Sequence, residues 1–298
     1  MQEQSKLMDF FRFIGADATA WSLRRLHCPT PKDALVLELG SGGRPHYISN
    51  VLCDAFMSDQ QRNGLKLITD RPSVLGFAEK LPFKDDSFDY VIASYIFEHT
   101  TDPDAFLSEI QRVAKAGFIE VPMGIRERFT NVPVHTLEIS KNEGTLYITK
   151  KKGPAHDPSF RQLLNPKIET LIERSMQKNP FSFQLRYYWS RDTGGIKYKI
   201  LNSDYEFDWE APLEGCDGYN NHSLKARLKT KCLQELNKRF APTRKVDLFN
   251  LLMCIHCKSE QLIQNSDSLA CQDCSATFPL LPNGAPNFTE VPAKALEK

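Results

Sequence analysis

No run of apolar residues in this 298-residue chain is long enough to cross a bilayer, which takes about 20 in a row. Charge of one sign is missing too: 38 Lys and Arg face 37 Asp and Glu, a net charge of +1. That balance argues against a strongly basic nucleic-acid protein, although it leaves room for a local basic patch. The stretch Met1 to Phe13 carries Asp9 and Arg12 among its aromatics. It lacks the basic-then-apolar layout of a secretion signal. Cysteine is too sparse for a disulfide scaffold. Of eight, Cys28, Cys53, Cys216 and Cys232 are scattered, and the other four form two pairs near the C-terminus. Pairs plus scattered singles suit a metal site in a reducing compartment, so the expected location is the cytoplasm.

What is present is ordinary globular composition, with 41% hydrophobic and 25% charged residues. The length suits one large domain plus a smaller one. Residues 16–27 read as a helix stopped by Pro29 and Pro31. Residues 34–39 (ALVLEL) form a short apolar run entering a glycine cluster, the mark of a buried parallel strand. Further strands are expected at 50–54, around 73–77, and at 87–94. A helix then starts with Asp102 as N-cap and Pro103 at the first helical position. Its apolar face is Ala105, Phe106, Ile110, Val113 and Ala114, and Gly117 is expected to close it before a fifth strand at 118–121. Alternating strands and helices predict an α/β fold with a mostly parallel sheet. Residues 135–140 and 145–151 flank a turn at 141–144 and predict a β-hairpin closing the edge of that sheet. The region 153–245 reads as an α+β extension, with helices near 165–177 and 222–240 and strands near 181–188 and 196–201. The expected domains are 1–152, 153–245 and 246–298.

The glycine cluster follows Glu38 as Gly40, Ser41, Gly42, Gly43 and Arg44 at the end of the first strand. Ligands of open α/β sheets sit at the carboxyl ends of the strands, and glycines let backbone approach them closely. Pro45 stands where a dinucleotide fingerprint needs glycine. Glu38 is placed to meet an ammonium group, and Asp54, closing the second strand, to accept two ribose hydroxyls. A ligand with an amino-acid end, a nucleoside end and no pyrophosphate fits, and S-adenosylmethionine is such a ligand. At 36–43 (VLELGSGG), 78–83 (AEKLPF), 87–94 (SFDYVIAS), Glu98-His99 and 109–113 (EIQRV) the chain resembles the class I S-adenosylmethionine-dependent methyltransferases of type 11. The resemblance covers roughly residues 34–122 and implies a Rossmann-like sheet. It also implies that Glu38 to Gly43 hold the methionine part of the cofactor, Asp54 the ribose, and the backbone around Phe77 and Ala78 the adenine edge. Arg44 stands where the family has a third glycine and Phe77 where it has an acid. Only residues 44–49 separate the glycines from the second strand, too few for a full crossover helix. That shortening resembles some polysaccharide-locus relatives.

Methyl transfer needs positioning first, and a general base only if the acceptor carries a proton. Glu98 and His99 follow the fourth strand, His135 enters the hairpin, and Glu120 ends the fifth strand. Each has a packing or capping role as its alternative, and none is singled out as a base. The expected acceptor is a small molecule or a glycan. The alternatives are an RNA or protein acceptor docked on the C-terminal module, and a binding protein without turnover.

That module holds two C-x-x-C knuckles, Cys254–Cys257 and Cys271–Cys274, with thirteen residues between them. Two such pairs close a tetrahedral four-thiolate site, which suits structural zinc. His256, between two ligands, is a poor donor. With its flanks at 248–290, the module resembles the zinc-ribbon family that includes the tRNA-methyltransferase activator subunit. The resemblance implies a partner surface for a methyltransferase. The join at 241–253 (APTRKVDLFNLLM) is apolar rather than Gly/Ser-rich, so the ribbon is expected to pack on the larger domain. Residues 222–245 carry eight Lys and Arg against Glu235, over a Leu/Phe stripe. They read as a solvated helix face or, more sharply, a phosphate-contacting patch.

Overall fold

The computed structural model describes residues 3–57, 65–153, 166–203, 206–208, 231, 234, 235, 239–242 and 244–289. The chain divides into two compact units. One comprises Met1–Pro31, Tyr95–Thr101 and Phe118–Tyr219; the other comprises Lys32–Ser94, Asp102–Gly117 and Asn220–Lys298. No helix among the described residues is long and apolar enough to cross a membrane.

The second unit is built on β1 (Val36–Leu39), β2 (Val51–Asp54), β3 (Ser73–Leu75) and β4 (Phe88–Ser94), in the order β3-β2-β1-β4. All three pairings are parallel, with Leu37 opposite Val51 on one side and Val91 on the other. β1, β2 and β3 are buried along their whole length. That is why their sequences read as continuous apolar runs. The order reverses at β1, so its carboxyl end is the switch point at which such sheets bind ligands. As the spacing requires, no helix joins β1 to β2. The loop is tied down instead by the guanidinium of Arg71, which donates to the carbonyls of His46 and Ser49 at 3.2 and 2.9 Å.

The helix α3 (Pro103–Val113) begins as expected, the Asp102 carboxylate accepting from the Ala105 amide at 3.0 Å. It buries Phe106, Leu107, Ile110 and Val113. It ends four residues before the expected stop. Ala114 is already extended, with φ −134° and ψ 153°, and opens β5 (Ala114–Pro122) without a turn. Gly117 therefore lies inside a strand.

The first unit carries α1 (Lys6–Phe13), which sequence analysis did not anticipate, and α2 (Asp17–Leu23), which passes into a 3₁₀ turn at Arg24–Leu26. The hairpin forms as β6 (Leu137–Asn142) and β7 (Thr145–Lys150) around Glu143 and Gly144, both at positive φ. It does not close the edge of the main sheet. β7 instead takes β9 (Lys197–Ile200) as a parallel neighbour, giving a separate sheet β6-β7-β9. The place beside β5 belongs to β8 (Gln184–Ser190). β8 alternates buried Leu185, Tyr187 and Trp189 with partly exposed residues, and its Arg186 bonds to Glu120 of β5, which secures it there. This unit also contains α4 (Gly124–Thr130) and α5 (Pro166–Lys178). Most of the helix expected at 222–240, with its basic residues, lies outside the described residues. The C-terminal module is an antiparallel sheet of β10 (Leu262–Gln264), β11 (Ser268–Cys271) and β12 (Thr277–Pro279).

Candidate cofactor and metal sites

The glycine loop leaves β1 with Gly40 and Gly42 at φ +62° and +53°, the left-handed region that favours glycine. The Asp54 carboxylate, at the end of β2, accepts from the Gly42 amide at 3.0 Å and from Phe56 at 3.2 Å. Glu38 is buried and accepts from the His46 amide at 2.7 Å and the Ser49 hydroxyl at 2.5 Å. The structure thus brings Glu38, Gly40, Ser41, Gly42, Gly43 and Asp54 together, but both carboxylates already brace the loop. Gly43 is required by close approach. A Cβ there would stand 2.7 Å from the Leu65 Cβ and 3.0 Å from the Lys66 carbonyl. Segment 65–68 lies along the loop, with the Ile68 amide donating to the Gly42 carbonyl at 3.0 Å. Ser41 is buried, and its Oγ has no hydrogen-bond partner among the described residues. Phe77 is outside the core at 36% exposure, set edge-on to Phe56, while Ala78 is buried. A cavity beside the loop is lined by Ser41, Asp54, Thr69 and Leu75 together with Leu281 and Ala285 of the C-terminal module. An orphaned hydroxyl, a carboxylate at the strand end and an exposed ring are features that suit a cofactor with polar and aromatic parts.

The four knuckle cysteines converge. Their sulfurs lie within 4.8 Å of one another, with Cys254 to Cys274 at 3.6 Å and Cys257 to Cys271 at 3.5 Å. Zn–S bonds of about 2.3 Å form a tetrahedron with edges of about 3.8 Å, so the donor set fits zinc. The His256 ring stacks on Phe278 instead of joining them.

The module is not on a tether. Leu75 of β3 accepts from the Phe288 amide and donates to the Pro286 carbonyl, both at 2.8 Å. This extends the sheet edge by one parallel bridge at Asn287. A second bridge joins Phe83 to Leu252, with Lys84 donating to Leu251 at 2.9 Å and Met253 donating to Pro82 at 3.0 Å. Leu248, Leu252 and Met253 of the apolar join are buried.

The other named residues lie in the first unit. Glu120, considered above as a hydrogen-bonding group for an acceptor, is engaged by two arginines. It is 2% exposed and clamped by Arg24 at 2.7 and 2.9 Å and by Arg186 at 2.8 Å. Burial pushes its pKa up, but the charges of Arg186 and Arg24 override this and hold the carboxyl low. Glu98, His99 and His135 come together, each offering a donor atom within 4.8 Å of the others. His135 is buried, and its Nδ1 meets the Glu127 carboxylate at 2.6 Å. Lys151 donates to the other Glu127 oxygen at 2.8 Å. Burial pushes Glu98 up to about 8. Sequence reasoning missed Arg24, Glu127, Lys151 and Arg186, which stand in no motif and are legible only as partners.

Residues 38–119 match the methyltransferase domain family, and residues 250–280 match a zinc ribbon domain family. The polypeptide therefore carries both domains. It is similar to a demethylmenaquinone methyltransferase of Streptomyces avermitilis, 45% identical over 67 residues, which are 22% of this chain and 29% of that protein. It is also similar to a phthiotriol/phenolphthiotriol dimycocerosates methyltransferase of Mycobacterium ulcerans, 36% identical over 159 residues, 50% of this chain and 51% of that protein. The chain thus spans 29% and 51% of the lengths of these curated relatives. Among solved structures, it is similar to a chain in the complex of the Haloferax volcanii Trm112 methyltransferase activator with a methyltransferase. That match is 17% identical, covers 60% of this chain and 91% of that one, and has a TM-score of 0.36.

Proposed function

We propose that this protein is an S-adenosylmethionine-dependent methyltransferase acting on a small-molecule or glycan acceptor. In this reading residues 1–152 form the methyltransferase domain, 153–245 an extension and 246–298 a structural zinc ribbon. The observation that carries it is the glycine loop at the switch point of a parallel sheet, held by Asp54 within the matched methyltransferase segment. Gly40, Ser41, Gly42 and Gly43 would cradle the methionine part, with Glu38 supplying negative charge toward its ammonium. Asp54 would take the ribose hydroxyls, and Phe77 and Ala78 would border the adenine. The Ser41 hydroxyl, which has no hydrogen-bond partner among the described residues, and the exposed Phe77 ring support this assignment. When bound, the cofactor supplies a sulfonium methyl group. The chain's own part is to orient the reactants and exclude water. Cys254, Cys257, Cys271 and Cys274 would hold the zinc, supported by the convergence of their sulfurs within 4.8 Å of one another.

The relatives' own names, a demethylmenaquinone methyltransferase and a phthiotriol/phenolphthiotriol dimycocerosates methyltransferase, favour a small-molecule acceptor over RNA or protein. A second reading, a binding protein without turnover, draws on Glu38 and Asp54 being engaged by the loop itself. Calorimetry with S-adenosylmethionine, followed by a methyl-incorporation screen over quinone, lipid, glycan and nucleic-acid acceptors, tests the proposal. Binding with incorporation into a small molecule or glycan supports it. No incorporation into any acceptor, with or without cofactor binding, supports the second reading and overturns the first.

A further inference from the structure

We infer that Glu98, His99 and His135 form a second metal site, for a divalent ion of the zinc class, separate from the four cysteines. The argument starts from the lone pairs. His99 Nδ1 lies 3.0 Å from the Val134 carbonyl, which can only accept, so this nitrogen carries the proton. His135 Nδ1 lies 2.6 Å from the Glu127 carboxylate and donates to it. The other oxygen of this carboxylate accepts from Lys151 at 2.8 Å, so Glu127 is the acceptor between two donors. With Nδ1 bonded in this way, Nε2 is the nitrogen of each ring that can offer a lone pair to a metal. A metal-bound histidine shows this arrangement, its other ring nitrogen donating to a carboxylate or backbone carbonyl.

The third donor is the unusual one. Glu98 is 2% exposed, and neither of its carboxylate oxygens has a hydrogen-bond partner among the described residues. Burying a carboxyl group with nothing to bond is costly unless it is paired or coordinates a metal. It stands beside both histidines because the hairpin entry is stitched to the turn after β4. The Thr136 amide donates to the Glu98 carbonyl at 2.8 Å, and the Thr136 hydroxyl to the Thr100 carbonyl at 2.6 Å. Donor atoms of the three residues lie within 4.8 Å of one another. Tetrahedral metal bonds of about 2.0–2.2 Å set donors about 3.3–3.6 Å apart, so closing the cluster on an ion draws the donors together by up to about 1.5 Å. Two imidazoles and one carboxylate select zinc-class ions over magnesium or calcium, which prefer all-oxygen shells. Three protein donors leave an open position, where a water or a ligand oxygen would be polarised.

Elemental analysis of the full chain after equilibrium dialysis against Zn²⁺ tests this. The parent should bind two equivalents. His99→Ala, a change at an exposed position, and Glu98→Gln, a change of nearly equal volume, should each bind one. Glu127→Gln should weaken the second equivalent about 10–100-fold, the usual effect of losing such a supporting carboxylate. Cobalt substitution assigns the sites, since only the cysteine site gives thiolate charge-transfer absorption. The inference fails if the parent binds a single equivalent with the thiolate signature. It fails equally if the second equivalent survives both His99→Ala and Glu98→Gln.

Discussion

Phe288→Ala should undock the zinc ribbon and, through it, damage the cofactor end of the sheet. Phe288 is 2% exposed, its ring packs 4.4 Å from Phe278, and its amide bonds to Leu75. Truncating a buried Phe costs about 3–5 kcal/mol. The four backbone hydrogen bonds joining the module to β3 and to residues 82–84 are worth about 0.5–1.5 kcal/mol each, or about 2–6 kcal/mol together. The cost of losing the Phe288 ring is thus comparable to the whole set of docking bonds, and the variant is expected to release the module. Leu281 and Ala285 line the same cavity as Ser41 and Asp54, so release also takes away one wall of the proposed cofactor site. With zinc bound, the parent should resist protease between 241 and 253. The variant should be cut there, with a lowered urea midpoint and weaker S-adenosylmethionine binding by calorimetry. Rapid cutting of the zinc-loaded parent, leaving a soluble 1–245 fragment with unchanged cofactor affinity, would refute the coupling.

Asp54→Ala removes the carboxylate proposed for the ribose and frees the Gly42 and Phe56 amides. It should weaken S-adenosylmethionine binding by about 1–3 kcal/mol, and equal calorimetric affinity for variant and parent would show that the pocket is misassigned. Cys271→Ser should lose the cysteine-bound zinc and unfold residues 248–290, since such sites contribute about 10–16 kcal/mol in peptides; a metal-free but protease-resistant C-terminus would contradict this. Glu120→Gln strands two buried arginines and should cost about 3–5 kcal/mol in urea denaturation at neutral pH. Because the Glu120 pKa is held low in the fold, its contribution is present above the ordinary carboxylate range and lost as pH falls through the folded value. The variant should therefore lose less stability on acidification than the parent, and parallel losses would falsify the ion-pair account.

Features of the fold with a local cause were legible. The apolar strands β1, β2 and β4, the Asp102 cap of α3 and the two cysteine knuckles each depend on neighbours a few residues away. Features decided at long range were not. Nothing in 184–190 announces that β8 takes the place beside β5, because the deciding bond joins Arg186 to Glu120, 66 residues apart. Nor does 117–121 reveal that Glu120 answers to Arg24, 96 residues away. Gly117 carried a misleading local signal: glycine commonly closes helices, but here the extended Ala114 had already done so.

The two metal-type clusters show the same division from the side of function. In the ribbon, ligands come in pairs two residues apart within twenty-one residues, so the spacing itself predicts convergence. Glu98 and His99 are adjacent but His135 is 36 residues further on, across a helix, a strand and a second helix. Separately, each of the three has an ordinary structural alternative, and reading them one at a time as candidate bases left none preferred. What changes the reading is a set of facts no linear motif holds: the side of each ring that is already bonded, and the lack of a hydrogen-bond partner for the Glu98 carboxylate among the described residues. A buried carboxyl within 4.8 Å of two imidazoles whose Nδ1 atoms are already bonded is the donor set on which the second metal site is proposed. The residues that create it, Glu127, Lys151 and Val134, are ones that contribute no chemistry of their own.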